Sequence, residues 1–409
     1  MRHIWLFFRK TNPWFGRFLW VFILMMLIGA CQTQTYLELT PRVPPTEIAR
    51  TAVKPDQIRI AAGFTPTPLP SPTPFPVAGP TPIPAATAVI PEQINPLTGS
   101  LAADYTLLKQ PPVLVKLANW PQELRPANGL LQADNVFEYY IGAQQNHLLA
   151  LFYGTDGEKI GPLAPVRIPD VRLAEHYQGT LIIASAPDKE QSVLDQMLKG
   201  RYFQRGDLGC PAICTEAVTS GGNTVVNTSA IRQAIKNPFK PVLPLIGPAF
   251  QSALEKWDDD AQRFSYLYAD FSVMDWRWND TEQKYDLWQD YEERGSITLQ
   301  PSKDRDTHAP IRFDNIVFLF SMYSEVTPTY FDINFRDGIL NQPALILRDG
   351  KLIHGYWFTK TAKSPIQLRY LDGSDLPLKP GKTWYVFTSV NSLLERVQPG
   401  EWDLTFILR

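Results

Sequence analysis

The chain has 409 residues, of which 44% are hydrophobic and 20% are charged, with 39 basic against 41 acidic side chains. This near-balance of charge leaves no basic surface of the kind that binds nucleic acid, so that class of function is disfavoured. Three cysteines and five histidines are too few for a cysteine-rich zinc module, and no H-E-x-x-H motif occurs, so neither a metal nor a cofactor is predicted.

The first 31 residues have the pattern of a bacterial export signal. Four basic residues and no acidic one lie within residues 1–17, and an apolar run from Phe18 to Ile28 follows. That run is shorter than the roughly 20 residues of a membrane-spanning helix, which favours a cleaved signal peptide. Its ending, Leu27 to Cys31, resembles the lipobox, in which the cysteine is acylated and becomes the first residue of the mature protein.

We therefore predict a lipoprotein signal peptide over residues 1–31 and lipidation of Cys31. Acyl chains on that cysteine would hold the protein to the cell membrane on its extracytoplasmic face. The membrane, through this lipid anchor, is then the first predicted partner. An ordinary signal peptide with a chance cysteine is the alternative.

Residues 32–94 form a predicted disordered stalk rich in proline and threonine. From Ala61 to Pro91 there is no charged residue, and 10 of the 31 positions are proline. Proline removes backbone donors and fixes φ, which excludes helix and favours polyproline II. At about 3.1 Å per residue, such a segment would reach on the order of 90 Å when extended.

Residues 95–245 combine strand-like and helical patterns. Short apolar runs bounded by turn residues predict strands at 113–117, 148–152 and 181–184. An amphipathic stretch begins at Asp188, with Gln191 three residues on, and Gly200 predicts its end. This segment is predicted to be an α/β-type N-terminal domain.

Residues 246–409 are richer in strand signals. Alternating apolar residues predict a hairpin on either side of Asn279-Asp280, and Asp349-Gly350 is the strongest short turn signal in the chain. We predict a mostly antiparallel β C-terminal domain here, so that the fold class of the whole chain is α+β.

Cys210 and Cys214 lie four residues apart in a stretch that resembles a loop. If Cys31 is lipidated, these two cysteines form an even pair in an oxidising compartment, which favours a disulfide. A pair of free thiols and a redox-active pair are the alternatives.

An ordered set of short motifs resembles the YerB-like bacterial lipoproteins, a family of unknown function with N- and C-terminal parts. The motifs of the first half are Asn95–Gly99, Val113–Lys116, Gln132–Asp134, Val136–Tyr139, and Ile160–Pro162 with Arg167. Those of the second half include residues 285–286, 314–317, 350–357 and 381–384. The resemblance covers about residues 95–390 and implies an exported, anchored protein in two parts.

Several polar positions of the family pattern are altered in this chain. Leu163 to Val166 replaces a basic residue and a serine before Arg167, and His147 replaces an arginine. Where the family pattern has His-x-Gly-Gly-Ser after a strand, this chain has Ile183-Ala-Ser-Ala-Pro187. The resemblance therefore implies a divergent member whose site has lost some of the family's polar groups.

Six residues of the first half are candidates for ligand binding. They are Arg125, Asp134, Glu138, His147, Arg167 and Ser185. Glu138 lies among aromatic residues, where a desolvated carboxylate needs a cationic partner such as Arg167 or Arg125. The functional interpretation is a pocket for an anionic or polyhydroxylated ligand, and the alternative, which we favour, is a structural network of ion pairs.

Two classes of function remain open from the sequence. The first is a non-catalytic envelope lipoprotein that binds a cell-wall polymer or another envelope protein, or acts as a scaffold. The second is an extracytoplasmic hydrolase acting on cell-wall glycan or peptide with a carboxylate or histidine base. We favour the first because no nucleophile–base motif is present, and catalytic residues cannot be assigned from the sequence.

Overall fold

The computed structural model describes residues 93–408 except 216–223, 236–239, 242–244, 294–295 and 328–329. The predicted signal peptide, Cys31 and the stalk up to residue 92 lie outside the described residues.

The described residues contain 21 strands, three α-helices and two short 3-10 helices. The strands up to residue 245 are β1 (Val113–Ala118), β2 (Asn135–Gly142), β3 (Gln145–Phe152), β4 (Thr180–Ile183), β5 (Tyr202–Gln204), β6 (Ile213–Thr215) and β7 (Thr224–Val226). The later strands are β8 (Asp259–Asp260), β9 (Arg263–Ala269), β10 (Ser272–Asn279), β11 (Lys284–Glu293), β12 (Ser296–Pro301), β13 (Arg312–Phe313), β14 (Asn315–Thr327), β15 (Tyr330–Asn334), β16 (Gln342–Arg348), β17 (Lys351–Phe358), β18 (Gln367–Tyr370), β19 (Thr383–Ser389), β20 (Leu393–Gln398) and β21 (Glu401–Thr405). The helices are α1 (Ile168–His176), α2 (Asp188–Met197), α3 (Thr228–Ala234) and the 3-10 helices Tyr105–Lys109 and Gln122–Leu124.

The α+β prediction, with an α/β-type N-terminal domain, is wrong because the protein is mostly β. Strands make up 46% of the described structure and helices 11%, and large multi-stranded sheets dominate both halves. The physical reason lies in the pairing of the strands. The apolar runs of the first half are strands as predicted, but they complete a sheet with strands of the second half instead of forming a sheet layered by helices on both faces.

The largest sheet has twelve strands in the order β18-β17-β16-β14-β19-β2-β3-β1-β4-β5, with β15 beside β14 and β8 beside β17. Strand β2 lies between β19, which runs parallel to it, and β3, which runs antiparallel. Strands from both sides of residue 245 are therefore hydrogen-bonded within one sheet. The domain boundary at that residue stays a prediction.

A second sheet of seven strands has the order β12-β11-β10-β9-β21-β20, with β13 beside β11, and β6 pairs with β7 in a small third sheet. One core lies between the two large sheets and includes Val136, Phe264, Trp276 and Trp384. Another core lies on the opposite face of the twelve-stranded sheet, where α1 and α2 pack, and includes Phe137. Side chains that alternate along β2 consequently enter two different cores.

The local turn predictions agree with the structure. Asp349 and Gly350 both have positive φ, and the strands on either side of them pair from Arg348 and Lys351 onward. β10 and β11 form the predicted hairpin around residue 280. Both of these strand–turn–strand predictions are confirmed.

Cys210 and Cys214 form a disulfide in this structure, with their Cα atoms 4.9 Å apart. Cys210 precedes β6 and Cys214 lies within it, so the disulfide restrains the short segment that leads into this strand. Among the described residues, no helix has the length and apolar character needed to cross a membrane.

We predict that neither residues 95–245 nor residues 246–409 fold when expressed alone. Each fragment would expose one side of the β2–β19 pair, with its unpaired backbone groups and its buried apolar faces. Residues 95–409 together are expected to unfold in one cooperative transition, measured by circular dichroism against temperature and urea.

The control is to refold the two fragments as a mixture, which should restore the cooperative transition. A sharp thermal transition for residues 95–245 alone would show that the shared sheet is not required.

Candidate functional site

The structure places the six candidate residues in three separate positions. Arg125 and Glu138 lie between the two large sheets, and Asp134 lies just before β2. His147, Arg167 and Ser185 lie on the opposite face or at the edge of the twelve-stranded sheet, near α1. The alternation of side chains along β2 and β3 is the cause, because it sends Glu138 and His147 to opposite faces.

Glu138 is fully buried, and its carboxylate accepts three hydrogen bonds from neutral groups. Its Oε1 accepts from Asn146 Nδ2 at 2.6 Å and from the Tyr268 hydroxyl at 3.0 Å. Its Oε2 accepts from Trp384 Nε1 at 2.7 Å. Burial raises the pKa of Glu138, and these hydrogen bonds oppose the rise.

Asn146 connects Glu138 to a chain of amide side chains that crosses between the sheets. Asn119 Nδ2 donates to Asn146 Oδ1 at 2.8 Å, and Gln289 Nε2 donates to Asn119 Oδ1 at 3.1 Å. Ser302 Oγ donates to Gln289 Oε1 at 2.6 Å. We call Glu138, Asn146, Asn119, Gln289 and Ser302 the inter-sheet network, and every one of its members is buried.

Arg125 lies beside this network but pairs with a different carboxylate. Its Nη1 lies 3.0 Å from Asp290 Oδ1, and both side chains are 1% exposed. Its Nε donates to the Asn119 carbonyl at 2.7 Å, which ties the pair to the inter-sheet network. Arg125 influences the pKa of Glu138 only through its charge. The sequence predicted Arg125 or Arg167 as the cationic partner of Glu138, whereas the structure pairs Arg125 with Asp290 and gives Glu138 neutral hydrogen-bond donors.

Asp134 holds the backbone at the end of β3. Its Oδ2 accepts from the backbone amides of Tyr153 at 2.5 Å and Gly154 at 2.9 Å, and its Oδ1 accepts from Asn95 Nδ2 at 3.0 Å. Burial raises its pKa to about 6, although the backbone hydrogen bonds and the charge of Lys382 oppose the rise. These contacts give Asp134 a structural role in joining residue 95 to the sheet.

A buried lysine that was not singled out as a candidate lies on the helix-covered face of the sheet. Lys116 Nζ is 3.1 Å from Asp170 Oδ1, and both side chains are fully buried. Tyr139 lies between them, accepting from Lys116 at 2.5 Å and donating to Asp170 at 2.5 Å. Burial lowers the pKa of Lys116 to about 8. The signal that could have found this cluster is a lysine at a core position of an apolar strand.

His147 and Arg167 lie near this cluster. His147 is 7% exposed, and its Nδ1 is buried without a hydrogen-bond partner among the described residues. Arg167 Nε is also buried without a partner there, while Nη1 donates to the Val166 carbonyl at 3.0 Å. The Val166 amide donates to the carbonyl of Ser185, which is exposed, so the segments carrying Arg167 and Ser185 run side by side.

His176, at the end of α1, joins the helix to the second half of the chain. Its Nδ1 is 3.1 Å from the Ser364 carbonyl and its Nε2 is 3.2 Å from Asp337 Oδ1. The contact with His176 lowers the pKa of Asp337. Sequence reasoning gave this histidine no role.

A surface depression of about 490 Å³ lies elsewhere, beside α2 and β5. It is lined by Asp195, Lys199, Gly200, Tyr202, Phe203 and Asp207, and none of the six candidates contributes to it. The Tyr202 hydroxyl already donates to Asp195 at 2.5 Å. In the part of the chain that the structure describes, no group of three or more His, Cys, Asp or Glu side chains could hold a metal ion.

Two family models match the chain. The model described as "Protein of unknown function (DUF3048) N-terminal domain" matches residues 97–236. The model for the C-terminal domain of the same family matches residues 264–385. The two matches follow each other in the order of the motifs found in the sequence.

Comparison with individual proteins gives the same relationship. The chain is 25% identical over 307 residues to "Putative lipoprotein YerB" of Bacillus subtilis (strain 168), covering 71% of this chain and 84% of that protein. The crystal structure of YerB protein from Bacillus subtilis matches with a TM-score of 0.57 and 21% identity, over 72% of this chain and 95% of that one. At this level of identity the structural likeness concerns the fold alone.

We predict that Glu138→Gln lowers the free energy of unfolding by about 1–3 kcal/mol, the range for disturbing a buried hydrogen bond to a charged group. Glutamine offers one acceptor oxygen, while donors stand on both sides of the Glu138 carboxylate. If that oxygen faces Trp384 Nε1, the amide nitrogen faces the donor Asn146 Nδ2, and in the other orientation it faces Trp384 Nε1, which can only donate. Urea denaturation of the variant and the wild type measures the loss.

The matched control is Glu158→Gln, the same substitution at an exposed position, which should leave the unfolding free energy within about 0.5 kcal/mol of the wild type. An unchanged or higher stability for Glu138→Gln would contradict a structural role for Glu138.

Proposed function

Because this chain belongs to the DUF3048 family, matched in both its N- and C-terminal domains, we propose that it is a membrane-anchored extracytoplasmic lipoprotein that binds an envelope component without catalysis. The similarity to the Bacillus subtilis lipoprotein YerB supports the lipoprotein part of this proposal. The lipobox-like residues Leu27 to Cys31 support it independently.

One observation carries the non-catalytic part of the proposal. Glu138 is fully buried, and both of its oxygens already accept hydrogen bonds from protein groups. A general base must come within hydrogen-bond reach of the proton that it removes, and a wall polymer cannot reach this position. Asp134 is buried and engaged in the same way.

The binding residues that we propose are therefore the three candidates at the edge of the sheet. His147, Arg167 and Ser185 have polar atoms that are exposed or lack a partner in the described structure. Cell-wall polymer or another envelope protein is the class of partner that an anchored protein of this location would meet. Arg125, Asp134 and Glu138 are assigned structural roles.

We predict that Cys31→Ser releases the protein from the membrane while the thermal unfolding of the folded part stays unchanged. Loss of the acyl chains removes the anchor, and the sequence predicts a stalk over residues 32–94 between Cys31 and the folded part. Fractionation of cells followed by immunoblotting measures the retained fraction.

The double variant Cys210→Ser/Cys214→Ser is the control, because it removes two cysteines that are bonded to each other and should stay at the membrane. Full membrane retention of Cys31→Ser would exclude lipidation at that residue as the anchor.

We also predict that the full-length protein, incubated with insoluble cell-wall material, cosediments with it and releases no soluble fragments. Assays for new reducing sugar ends and new free amino groups measure release. Release that disappears in a normally stable Glu138→Gln variant would instead establish the hydrolase alternative.

A further inference from the structure

The edge of the large sheet next to α1 and α2 has the topology of a ligand site. β1 runs parallel to β4, and β4 runs parallel to β5, so their carboxyl ends lie at one edge. The helix α2 connects β4 to β5. In open α/β sheets, ligands bind beyond the carboxyl ends of parallel strands, and β4-α2-β5 is one local unit of that kind within this mostly β sheet. His147 pairs with Ala118 at the end of β1, and Ser185 follows the end of β4.

Two polar atoms at this edge lack partners although they are buried. The His147 side chain is only 7% exposed, and neither its Nδ1 nor Arg167 Nε has a hydrogen-bond partner among the described residues. An unsatisfied buried polar group costs about 1–3 kcal/mol, so such groups call for an explanation. Two such atoms at one end of these strands call for polar partners that the described protein groups do not supply.

Two cations act on His147. Burial lowers the pKa of its ring well below the ordinary value, and the charges of Lys116 and Arg167 lower it further. Lys116 pairs with Asp170, and Arg167 pairs with Glu190. The ring of His147 is therefore held in its neutral form beside two cations that each have a carboxylate partner.

Arg167 is held in place at this edge by an aromatic ring and a buried carboxylate. Its guanidinium lies 5.5 Å from the centre of the Tyr330 ring, and its Nη1 forms an ion pair with Glu190 Oε1 at 3.9 Å, which is too long for a hydrogen bond. The side chain is 24% exposed, so solvent or a ligand can reach the guanidinium. A fixed, accessible guanidinium with a free Nε is suited to an anionic acceptor.

From this arrangement we propose that Arg167 and His147, with the exposed Ser185 beside them, bind an oxyanion, either a carboxylate or a phosphate group of the ligand. Arg167 Nε donates one hydrogen bond to the anion, and the neutral imidazole of His147 donates a second from Nδ1 as the appropriate tautomer. This inference rests on the proposed binding function and names the chemical class that the site takes.

The test uses the full-length protein in detergent micelles and two anions that do not titrate near neutral pH, sulfate and acetate. Isothermal titration calorimetry should show one saturable site for at least one of them. Arg167→Gln and His147→Gln should each weaken that binding at least tenfold while the thermal transition is retained.

Arg172→Gln is the matched control, because Arg172 lies on α1 but already pairs with Asp332 at 2.8 Å. It should leave anion binding unchanged. If Arg167→Gln fails to fold, Arg167→Lys carries the test, since lysine keeps the charge but has no Nε, and its binding should be weaker than that of the wild type.

Absence of saturable binding for both anions, or binding that the Arg167 and His147 variants leave intact, overturns the inference.

If an anion binds, glycerol phosphate and a dipeptide with a free C-terminal carboxylate separate the two sources of the anion, since the natural one should bind more tightly than the free ions. Membrane fractionation and cosedimentation with wall material do not depend on sulfate or acetate, so they test the proposed function independently of the anion-binding experiment.

Discussion

The burial of one carboxylate, that of Glu138, constrains how the two large sheets meet. A carboxylate removed from water needs hydrogen bonds to both oxygens, and these come from Asn146 on β3, Tyr268 on β9 and Trp384 on β19. Three strands from two sheets are thereby fixed around a single side chain. The amides of Asn119 and Gln289 extend the same connection to β11 and Ser302, so the interface between the sheets is polar at its centre and aromatic around it.

Local patterns in the sequence predicted the strands and turns well, but not the architecture. The hairpin at Asp349-Gly350 follows from two residues that adopt positive φ, and short-range chemistry of that kind is visible in a sequence. The partner of β2 is not visible there, because β19 lies almost 250 residues away and either strand could pair with many apolar runs. The α/β prediction failed at this step, since it assumed that neighbouring segments pair with one another.

Long-range strand pairing also decides which of the six candidate residues lie together. The aromatic setting of Glu138 indicated burial, but the expected cationic partner is replaced by neutral donors, and Asp290 could not be foreseen as the partner of Arg125 from 165 positions away. The separation of His147 from Glu138 follows from strand alternation, once the register of β2 and β3 is known. Lys116 was not among the candidates because its partner Asp170 lies on α1, and the spacing of residues along β1 does not indicate that contact.

The parallel pairing of β2 with β19 also determines when the fold can be completed. The hydrogen bond between Glu138 and Trp384 spans 246 positions, so the contact order of this sheet is high. A ribosome makes β2 long before it makes β19, and until then β2 is an apolar strand with one open edge. Such edges recruit other chains, which makes the interval before β19 emerges the period in which this protein is most exposed to aggregation. The order of its strands thus makes chaperone protection of the nascent chain more valuable than it would be for a fold whose sheets close locally.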